Sequence, residues 1–460
     1  MSISVQDHED TIVALATPQG SGALGIIRLS GPDSIEIANR IFKGNDLKGQ
    51  LTHTIHYGRI IDKEEVVDEV LASIFIAPHS YTGEHSVEFS CHGSSYILQR
   101  IIRLLIDAGA HPARAGEFTQ RAFLNGRLDL VQAEAVADLI ASDNKAAHMA
   151  AMNQMRGGFS DEIKKLRSEL VQFASLIELE LDFAEEDVEF ARRDELKALV
   201  EQIQVVIAHL IESFDLGNVI KNGVPTVIAG KPNTGKSTLL NHLLNEEKAI
   251  VSDIPGTTRD IIEDIIHIEG ICFRFIDTAG IREARDKIEA IGVQRTHDKM
   301  KAASVIIYLF DLAIETEADI KREIEKLDQL KIPYIKAGNK ADLIDPLLIE
   351  KLRKVWPDMI FISAKHEHNL DQLRGHLLNI IHLKDFHTGD VVVTNARHYD
   401  SLTHTRQALS DVLKGLETGL TNDFIALDLR QALHHLGEIT GEITTDDLLD
   451  NIFRNFCIGK

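Results

Sequence analysis

Hydrophobic and polar positions follow a mixed pattern in the first 120 residues. Short apolar runs separated by turn residues predict β-strands at TIVALA, GIIRLSG, VLASIFIA and SVEFSCHG. Between Tyr96 and Ala108 the apolar residues recur with a helical period instead. The first segment is therefore predicted to combine strands and helices in one unit.

The pattern changes to that of long amphipathic helices near Leu128. The stretch AEAVADLI is apolar on most positions, and a stripe with alternating spacings of three and four follows it at Ile163, Leu166, Leu170, Phe173 and Ile177. A stripe of this period is typical of a helix that buries one face. We interpret this part of the chain as the core of a helical bundle.

Between Val224 and about Leu383, predicted strands alternate with helices. The strands are VPTVIAG, ICFRFID, VIIYLFD, PYIKAGN and MIFISA, and each ends in a loop. This alternation favours a mostly parallel sheet with helices on both faces. Residues 385–460 return to a helical pattern, with RQALSDVLKGLE, FIALDLRQALHHLGEI and DDLLDNIFRNF.

These patterns predict a multidomain α+β chain in which an α/β domain is inserted into a discontinuous all-α domain. The expected segments are 1–124 for an N-terminal α/β domain, 125–221 for the first helical part, 222–383 for the inserted domain and 384–460 for the second helical part. A length of 460 residues fits several domains of ordinary size.

Charge restricts the partners of the chain. It carries 49 Lys and Arg against 71 Asp and Glu, a net charge of −22, which excludes a protein that wraps nucleic acid over its whole surface. Residues 100–127 are a local exception. They hold five arginines (Arg100, Arg103, Arg114, Arg121 and Arg127) against two acids (Asp107 and Glu117), so contact with nucleic acid is expected to be confined to small patches of this kind.

The composition also bears on compartment. No uninterrupted apolar run approaches the roughly 20 residues that span a bilayer, and the N-terminus MSISVQDHED does not resemble a secretory signal. Cys91, Cys272 and Cys457 are too few and too scattered for a disulfide framework or a zinc site. We expect a cytoplasmic protein without a membrane segment.

A phosphate-binding loop is the clearest chemical motif. Gly230-Lys-Pro-Asn-Thr-Gly-Lys-Ser follows the predicted strand VPTVIA and opens the helix STLLNHLLN. In this context backbone amides wrap phosphates, Lys236 reaches the β and γ oxygens, and Ser237 ligates Mg²⁺. By contrast, Gly20 to Gly25 matches GxGxxG but precedes the strand GIIRLSG and no helix, so a dinucleotide site is rejected there.

Four further motifs follow in order: GTTRD with Thr258, DTAG from Asp277, NKAD from Asn339, and SAK from Ser363. With the phosphate loop they resemble the translation-factor-like branch of P-loop GTPases. The resemblance implies that Thr258 completes the Mg²⁺ coordination begun by Ser237, that Asp277 holds the Mg²⁺ shell, and that the Gly280 amide senses the γ-phosphate. It also implies that Asp342 accepts from the N1 and N2 donors of guanine, a pair that adenine lacks.

The GTP-binding residues implied in this way are Asn233, Thr234, Gly235, Lys236, Ser237, Thr238, Ser252, Asp253, Ile254, Pro255, Gly256, Thr257, Thr258, Asp277, Thr278, Ala279, Gly280, Asn339, Lys340, Ala341, Asp342, Ser363, Ala364 and Lys365. Ile281 follows DTAG where many small GTPases have a glutamine that orients water, and an isoleucine cannot hydrogen-bond water. Among nearby carboxylates, Glu283, Asp286 and Glu289 remain alternatives on geometry alone.

The ends of the chain supply further motifs. They are TIVALATPQGSGALGIIRLSG, YTGEHSVEFSCHG and AGEFTQRAFLNGRLDLVQAEAVADLI near the N-terminus, and GEITTDDLL with a final CIGK at the C-terminus. With KPNTGKS, GTTRD and DTAGIRE, they resemble, almost end to end, the bacterial tRNA modification GTPases that act on wobble uridines. The resemblance implies activation by K⁺, bound at Asn233, Ser252, Ile254 and Thr257, and it implies that Glu289 orients the attacking water.

The same resemblance implies a second site in the N-terminal domain. A tetrahydrofolate derivative, 5-formyl or 5,10-methylene, would contact Arg28, Glu88, Arg127 and Lys460. The resemblance also implies a homodimer that forms through this domain and a heterotetramer with an FAD-dependent partner subunit. Cys457 in the CIGK tail is a candidate catalytic thiol.

The implied function is GTP hydrolysis within a complex that adds an aminomethyl or carboxymethylaminomethyl group at C5 of wobble uridine U34 in tRNA. Two alternatives stay open from the residues themselves. One is a regulatory ribosome-assembly GTPase, although the RNA-binding domains such proteins usually append do not appear in the pattern. The other is a folate-dependent one-carbon transferase that merely carries a GTPase domain.

We expect Glu289→Ala to leave GTP affinity nearly unchanged while turnover falls by about tenfold or more, because a group that orients water acts mainly in the transition state. Binding and single-turnover hydrolysis measured side by side separate the two effects. Hydrolysis at the normal rate would assign the role to another residue.

Overall fold

The structure is a computed structural model that describes residues 10–182, 192–247, 264–276, 300–301, 303–380, 391–454 and 456–459. The chain divides into two compact units. The first comprises Met1–Ala141, Ala151–Ala208 and Asp400–Lys460, and the second comprises Ser142–Ala150 and His209–Tyr399. The helical segments contribute to both units, and the four predicted segment boundaries stay a prediction.

The first unit begins with a seven-stranded sheet in the described part of the chain. Its strands are β1 Ile12–Leu15, β2 Leu24–Ser30, β3 Phe42–Gly44, β4 Thr54–Asp62, β5 Glu65–Phe75, β6 Ser86–His92 and β7 His111–Pro112, in the order β3-β4-β5-β6-β2-β1-β7. The helices are α1 Ser34–Ile41, α2 Ser95–Asp107 and α3 Glu117–Leu124. Neighbouring strands are antiparallel except β1 and β7.

The two faces of this sheet differ because side chains alternate along each strand. On one face Val13, Ile27, Leu29 and Phe89 join a core that also includes residues of α1 and α2. The opposite face carries Ala14 on β1. Beside Ala14 lies Arg28 on β2, which is paired with Glu88 on β6. The predicted strands are confirmed. The strand β4 was missed, since its exposed face mixes apolar and polar residues.

Long helices follow the sheet: α4 Leu130–Ala141, α5 Lys145–Met155, α6 Gly158–Asp182 and α7 Arg193–Asn222. The predicted stripe lies on α6, where Ile163, Leu166, Leu170 and Ile177 are buried. Phe173 is only half-buried, and Ala174 takes the core position beside it. The stripe prediction is confirmed with this shift of one residue.

Among the described residues, α7 is the one helix long and apolar enough to cross a membrane by length and composition alone. Its buried residues Leu196, Val200, Ile203 and Ile207 are spaced three and four apart, and charged residues such as Glu201 interrupt its apolar sequence. A one-sided stripe of this kind is typical of a core helix. Core helices pass the same test of length and composition, so one such helix is weak support for a membrane span.

The second unit contains a six-stranded sheet in the order β13-β12-β11-β8-β10-β9. The strands are β8 Val224–Gly230, β9 Asp264–Ile268, β10 Ile271–Phe275, β11 Val305–Asp311, β12 Tyr334–Asn339 and β13 Ile360–Phe361. The helices are α8 Lys236–Glu247, α9 Glu317–Leu330, α10 Pro346–Val355 and α11 Leu370–Ile380. All described pairs are parallel except β9 with β10, so the mostly parallel sheet is confirmed.

The central strand β11 is buried along its whole length, because apolar clusters cover both faces of the sheet. The hairpin of β9 and β10 was not predicted in full. Its turn is Glu269-Gly270, and both residues have positive φ, a requirement that glycine meets easily. The hairpin therefore adds one antiparallel edge strand to a parallel sheet.

The chain ends in three helices, α12 Ala396–Thr418, α13 Asn422–Thr440 and α14 Asp446–Phe453, and α13 packs against α6. The helical pattern predicted for residues 385–460 is thus confirmed where the structure describes it. Together the two units form the predicted multidomain α+β chain.

Candidate functional site

The phosphate loop connects β8 to α8 at the carboxyl edge of the parallel sheet. Lys236 is the first residue of α8, and its ammonium donates to the carbonyl oxygens of Gly230 at 2.8 Å and Lys231 at 2.7 Å. Burial lowers the pKa of Lys236. The Thr234 hydroxyl also donates to the Lys231 carbonyl, at 2.9 Å. These bonds hold the loop curled around its own lysine, with backbone amides free of strand pairing.

Three residues of the loop have positive φ: Gly230 at +142°, Asn233 at +63° and Gly235 at +99°. A Cβ added at Gly235 would overlap the side-chain amide of Asn339, so this position requires glycine both for its conformation and for its space. The loop is therefore packed directly against the end of β12.

Asn339 connects three motifs that are far apart in the sequence. Its amide nitrogen donates to the Thr234 carbonyl at 2.7 Å, and its amide oxygen accepts from the Ala364 N–H at 2.9 Å. The side chain is buried, so both bonds are made away from water. Through this one amide, the phosphate loop, the NKAD segment and the SAK segment are held in one arrangement.

Asp342 lies in the short 3₁₀ turn Ala341–Leu343 that follows β12. The nearby Ser363 hydroxyl lowers the pKa of Asp342, and the charges of His366 and Lys365 lower it further. His366 Nε2 lies 3.7 Å from Asp342 Oδ2. An ionised carboxylate at this edge is a pure acceptor, as recognition of two adjacent N–H donors requires.

The structure thus brings together the predicted residues of three motifs: Asn233 to Thr238, Asn339 to Asp342, and Ser363 to Lys365. The predicted residues 252–258, 277–280 and 289 lie outside the described residues. Three of the four proposed K⁺ ligands, the Mg²⁺ ligand Thr258 and the water-orienting Glu289 are among them. Ser237, the other Mg²⁺ ligand, is described at the start of α8.

Sequence reasoning missed several residues around this site. His366 beside Asp342 is one, and two buried carboxylates, Asp311 and Glu315, are the others. Each carboxylate contacts a lysine of a nucleotide motif. A lone acid at the end of a strand has no motif of its own, so only the register of β11 beside β12 could have drawn attention to Asp311.

A second group of predicted residues meets on the N-terminal sheet. Arg28 on β2 and Glu88 on β6 are directly paired, with Arg28 Nε 2.7 Å from Glu88 Oε1. The guanidinium lies over the rings of Tyr81 at 5.3 Å and Phe118 at 5.7 Å. Its Nη1 is buried and has no hydrogen-bond partner among the described residues.

Arg127 lies close to the loop that carries Tyr81. A Cβ at Gly83, two residues after Tyr81, would come within 3.2 Å of the Arg127 side chain, which is itself exposed. The arrangement leaves a planar, partly buried cation over two aromatic rings, and it places the exposed Arg127 near Gly83, two residues after Tyr81. It suits a flat ligand that has both polar and anionic groups.

The C-terminal tail lies against this sheet. Ile458 bridges to Ala115, and the Gly116 N–H donates to the Cys457 carbonyl at 3.3 Å. A Cβ at Gly459 would overlap the Leu15 carbonyl, so the tail passes close to β1. Lys460 lies outside the described residues, and it directly follows this docked glycine. Cys457 itself is exposed and free of disulfide bonds.

The predicted basic patch at residues 100–127 has two of its five arginines paired with acids from outside the segment, and contact with nucleic acid there stays a prediction. Arg121 is 1% exposed and pairs with Asp10, Glu84 and Glu117. Arg100 pairs with two acids of the β4–β5 hairpin, Asp62 and Glu65. Counting charges along the segment overlooked these partners, which come mostly from elsewhere in the sequence.

The described residues include one group that could hold a metal by composition, Asp143 with His267 and Cys272. His267 and Cys272 are paired across the β9–β10 hairpin. The three ligand atoms lie within 4.8 Å of one another. Ligand atoms of a tetrahedral zinc site are about 3.5 Å apart, so this spacing does not by itself define a zinc site. Asp143 Oδ1 already accepts from Asn144 at 2.9 Å, and the group is not part of the nucleotide motifs.

Comparisons with known proteins cover nearly the whole chain. A family model described as the GTP-binding protein TrmE N-terminus matches residues 11–127, and one described as the MnmE helical domain matches residues 130–457. Proteins named tRNA modification GTPase MnmE are similar to this chain. The one from Cytophaga hutchinsonii is 57% identical over 99% of both chains, and that from Bacteroides thetaiotaomicron is 52% identical over 98% of this chain and 100% of its own.

Solved structures resemble part of the chain. The G domain of the T. maritima FeoB iron transporter is 24% identical, with a TM-score of 0.25, over 34% of this chain and 98% of that domain. Translation elongation factor SelB from Methanococcus maripaludis is 17% identical, with a TM-score of 0.27, over 35% of this chain and 34% of its own. At these TM-scores the likeness adds nothing to the assignment.

We expect Asn339→Ala to destabilise the second unit by about 2 kcal/mol or more, because it leaves the buried Thr234 carbonyl and Ala364 N–H without their partner. Urea unfolding followed by a probe in that unit measures the change. Asn222→Ala is the matched control, since its exposed side chain donates to Asn218 on its own helix. Equal stability of the two variants would contradict the bridging role.

Proposed function

The chain belongs to the tRNA modification GTPase MnmE family, and we propose that it hydrolyses GTP within a complex that modifies C5 of wobble uridine U34. The group added would be aminomethyl or carboxymethylaminomethyl, with a tetrahydrofolate derivative as one-carbon donor. The observation that carries the GTPase half is the buried Asn339 amide, which gathers the phosphate loop and both guanine-reading segments. Relatives that match over nearly the full length carry the tRNA half.

In the nucleotide site, Lys236 would exchange its two carbonyl acceptors for β- and γ-phosphate oxygens. Ser237 and Thr258 would hold Mg²⁺, which neutralises charge on the phosphates, with Asp277 supporting its shell. Asp342 would accept from guanine N1 and N2. Its lowered pKa keeps the carboxylate ionised for that task.

We further propose that K⁺ binds at Asn233 together with Ser252, Ile254 and Thr257. Asn233 is exposed on the phosphate loop, where its side chain is accessible to a cation. A cation there offsets charge that develops on the transferring phosphate. Gly280 would sense the γ-phosphate, and Glu289 would orient the attacking water.

The N-terminal sheet is the proposed folate site, with Arg28, Glu88, Arg127 and Lys460 as contacts. The buried Nη1 of Arg28 without a partner supports a polar ligand at this point. Tyr81 and Phe118 supply apolar faces for a flat ring, and Arg127 supplies a charge for the glutamate tail. The docked Gly459 brings the chain end close to β1, next to β2.

The proposed homodimer is supported by the exposed face of the same sheet. Ile55 and Tyr57 on β4 are 65% and 61% exposed, and Leu71, directly opposite Tyr57, is 44% exposed. Exposed apolar neighbours of this kind mark interaction surfaces. An FAD-dependent partner subunit would complete a heterotetramer in the cytoplasm, and Cys457 stays a candidate thiol on an accessible tail.

Nucleoside mass spectrometry of tRNA from a strain lacking the gene tests the function. We expect U34 without its C5 substituent, restored by the intact chain and not by Lys236→Ala, which lacks the phosphate-bound cation. Intact U34 modification in the deletion strain would favour the ribosome-assembly alternative.

The purified chain should hydrolyse GTP about tenfold faster or more in K⁺ than in Na⁺, equivalent to about 1.4 kcal/mol of transition-state stabilisation.

Arg28→Met should weaken binding of 5-formyltetrahydrofolate by about tenfold or more, because a charge-assisted contact is removed from a partly buried site. GTP hydrolysis should be unchanged. Arg103→Met is the control, since this arginine is exposed and pairs with Asp107 in its own helix. Equal folate affinity of both variants by equilibrium dialysis would place the folate elsewhere.

A further inference from the structure

Two buried carboxylates contact lysines of the nucleotide motifs. Asp311 is the last residue of β11, and Glu315 follows it just before α9. The Asp311 residue and the Glu315 side chain are each only 3% exposed. Buried carboxylates are rare unless they are paired, because removing a charge from water carries a large free-energy penalty. Their partners therefore indicate what they do.

The partner of Asp311 is the lysine of the NKAD segment. Asp311 Oδ2 lies 2.5 Å from Lys340 Nζ, and Asp311 Oδ1 accepts from the Ala313 N–H at 3.1 Å. The second bond fixes the orientation of the carboxylate. Lys340 has φ +63°, a left-handed conformation that costs about 1 kcal/mol for a residue with a side chain. The ion pair thus helps to hold a strained residue two positions before Asp342.

The partner of Glu315 belongs to the phosphate loop. Glu315 Oε2 lies 2.9 Å from Lys231 Nζ, and Oε1 accepts from the backbone N–H of Asp311 at 2.9 Å. The carboxylate raises the pKa of Lys231. The carbonyl of Lys231 in turn accepts from the ammonium of Lys236. A continuous series of contacts therefore runs from Lys340 through Asp311 and Glu315 to the loop that curls around Lys236.

We propose that Asp311 and Glu315 are positioning residues for guanine nucleotides, Asp311 for the base and Glu315 for the phosphates. This inference rests on the proposed GTP-binding function. Asp311 holds Lys340 and so sets the direction in which the Asp342 carboxylate meets the guanine edge. Glu315 holds the phosphate loop through Lys231, and its other carboxylate oxygen accepts from the Asp311 backbone N–H.

The proposed roles of Asp311 and Glu315 predict different changes in the affinities for GDP and IDP. GDP offers both N1–H and the 2-amino group, whereas IDP lacks the 2-amino group, so the ratio of their affinities reports how Asp342 is aimed. Asp311→Asn should lower the preference for GDP over IDP by about fivefold or more, since one charged hydrogen bond is weakened. Glu315→Gln should weaken both nucleotides about equally and leave the ratio unchanged.

Isothermal titration of the full chain with GDP and with IDP measures both affinities. Glu323→Gln is the matched control, because Glu323 lies on α9 and accepts from the Tyr308 hydroxyl without contacting either nucleotide motif. The double variant Lys231→Met with Glu315→Gln should bind GDP about as tightly as Glu315→Gln alone, since both changes break the same ion pair. Thermal unfolding of each variant separates loss of fold from loss of position.

The outcomes distinguish this inference from the proposed function. If the unaltered chain binds neither nucleotide, the proposed GTP-binding function fails. If it prefers GDP and Asp311→Asn keeps the same preference, the role of Asp311 is overturned. If Glu315→Gln binds GDP as the unaltered chain does, or if the double variant binds GDP much more weakly than Glu315→Gln alone, the role of Glu315 is overturned.

Discussion

The nucleotide site depends on one buried amide. Asn339 is at the carboxyl end of β12, and its planar side-chain amide has a donor, the NH₂ group, and an acceptor, the carbonyl oxygen. The donor bonds the phosphate loop and the acceptor bonds the segment after β13. Because neither partner can turn to water, the three segments hold one relative position. Gly235 must then lack a side chain, since any Cβ would occupy the place of that amide.

The charged groups follow from the same arrangement. Because β12 lies beside β11, Lys340 reaches Asp311 and forms an ion pair with this buried carboxylate. Glu315 does the same for Lys231. Lys231 and Lys340 are thus held in ion pairs within the protein, whereas Lys236 donates to two carbonyl oxygens. Lys236 can therefore turn to a phosphate without breaking either of these ion pairs.

The N-terminal sheet obeys a different constraint. Alternation along the strands places its core on one face and leaves Arg28 and Glu88 on the other. Tyr81 and Phe118 cover Arg28 at one end of that face, whereas Ile55, Tyr57 and Leu71 stay exposed at the other. One sheet therefore offers a polar ligand site and an apolar contact surface side by side. The tail reaches the same region through Ala115 and Leu15.

Local signals in the sequence predicted what lies within one motif. The strand, loop and helix around Lys236 are contiguous, and so are the stripe on α6 and the buried strand β11. Contacts between distant residues could not be predicted in this way. Asn339 and Thr234 are 105 residues apart, and the acids that bury Arg121 include Asp10, 111 residues away. The same limit explains why a charge count did not reveal that Arg100 and Arg121 pair with acids outside the segment.

Base selectivity of the full chain tests the central claim most directly, that these segments form a guanine-specific site. Titration with GDP and with ADP under the same conditions should show binding of GDP and none of ADP, because adenine offers no pair of donors to the Asp342 carboxylate. Equal affinity for the two nucleotides would contradict the account.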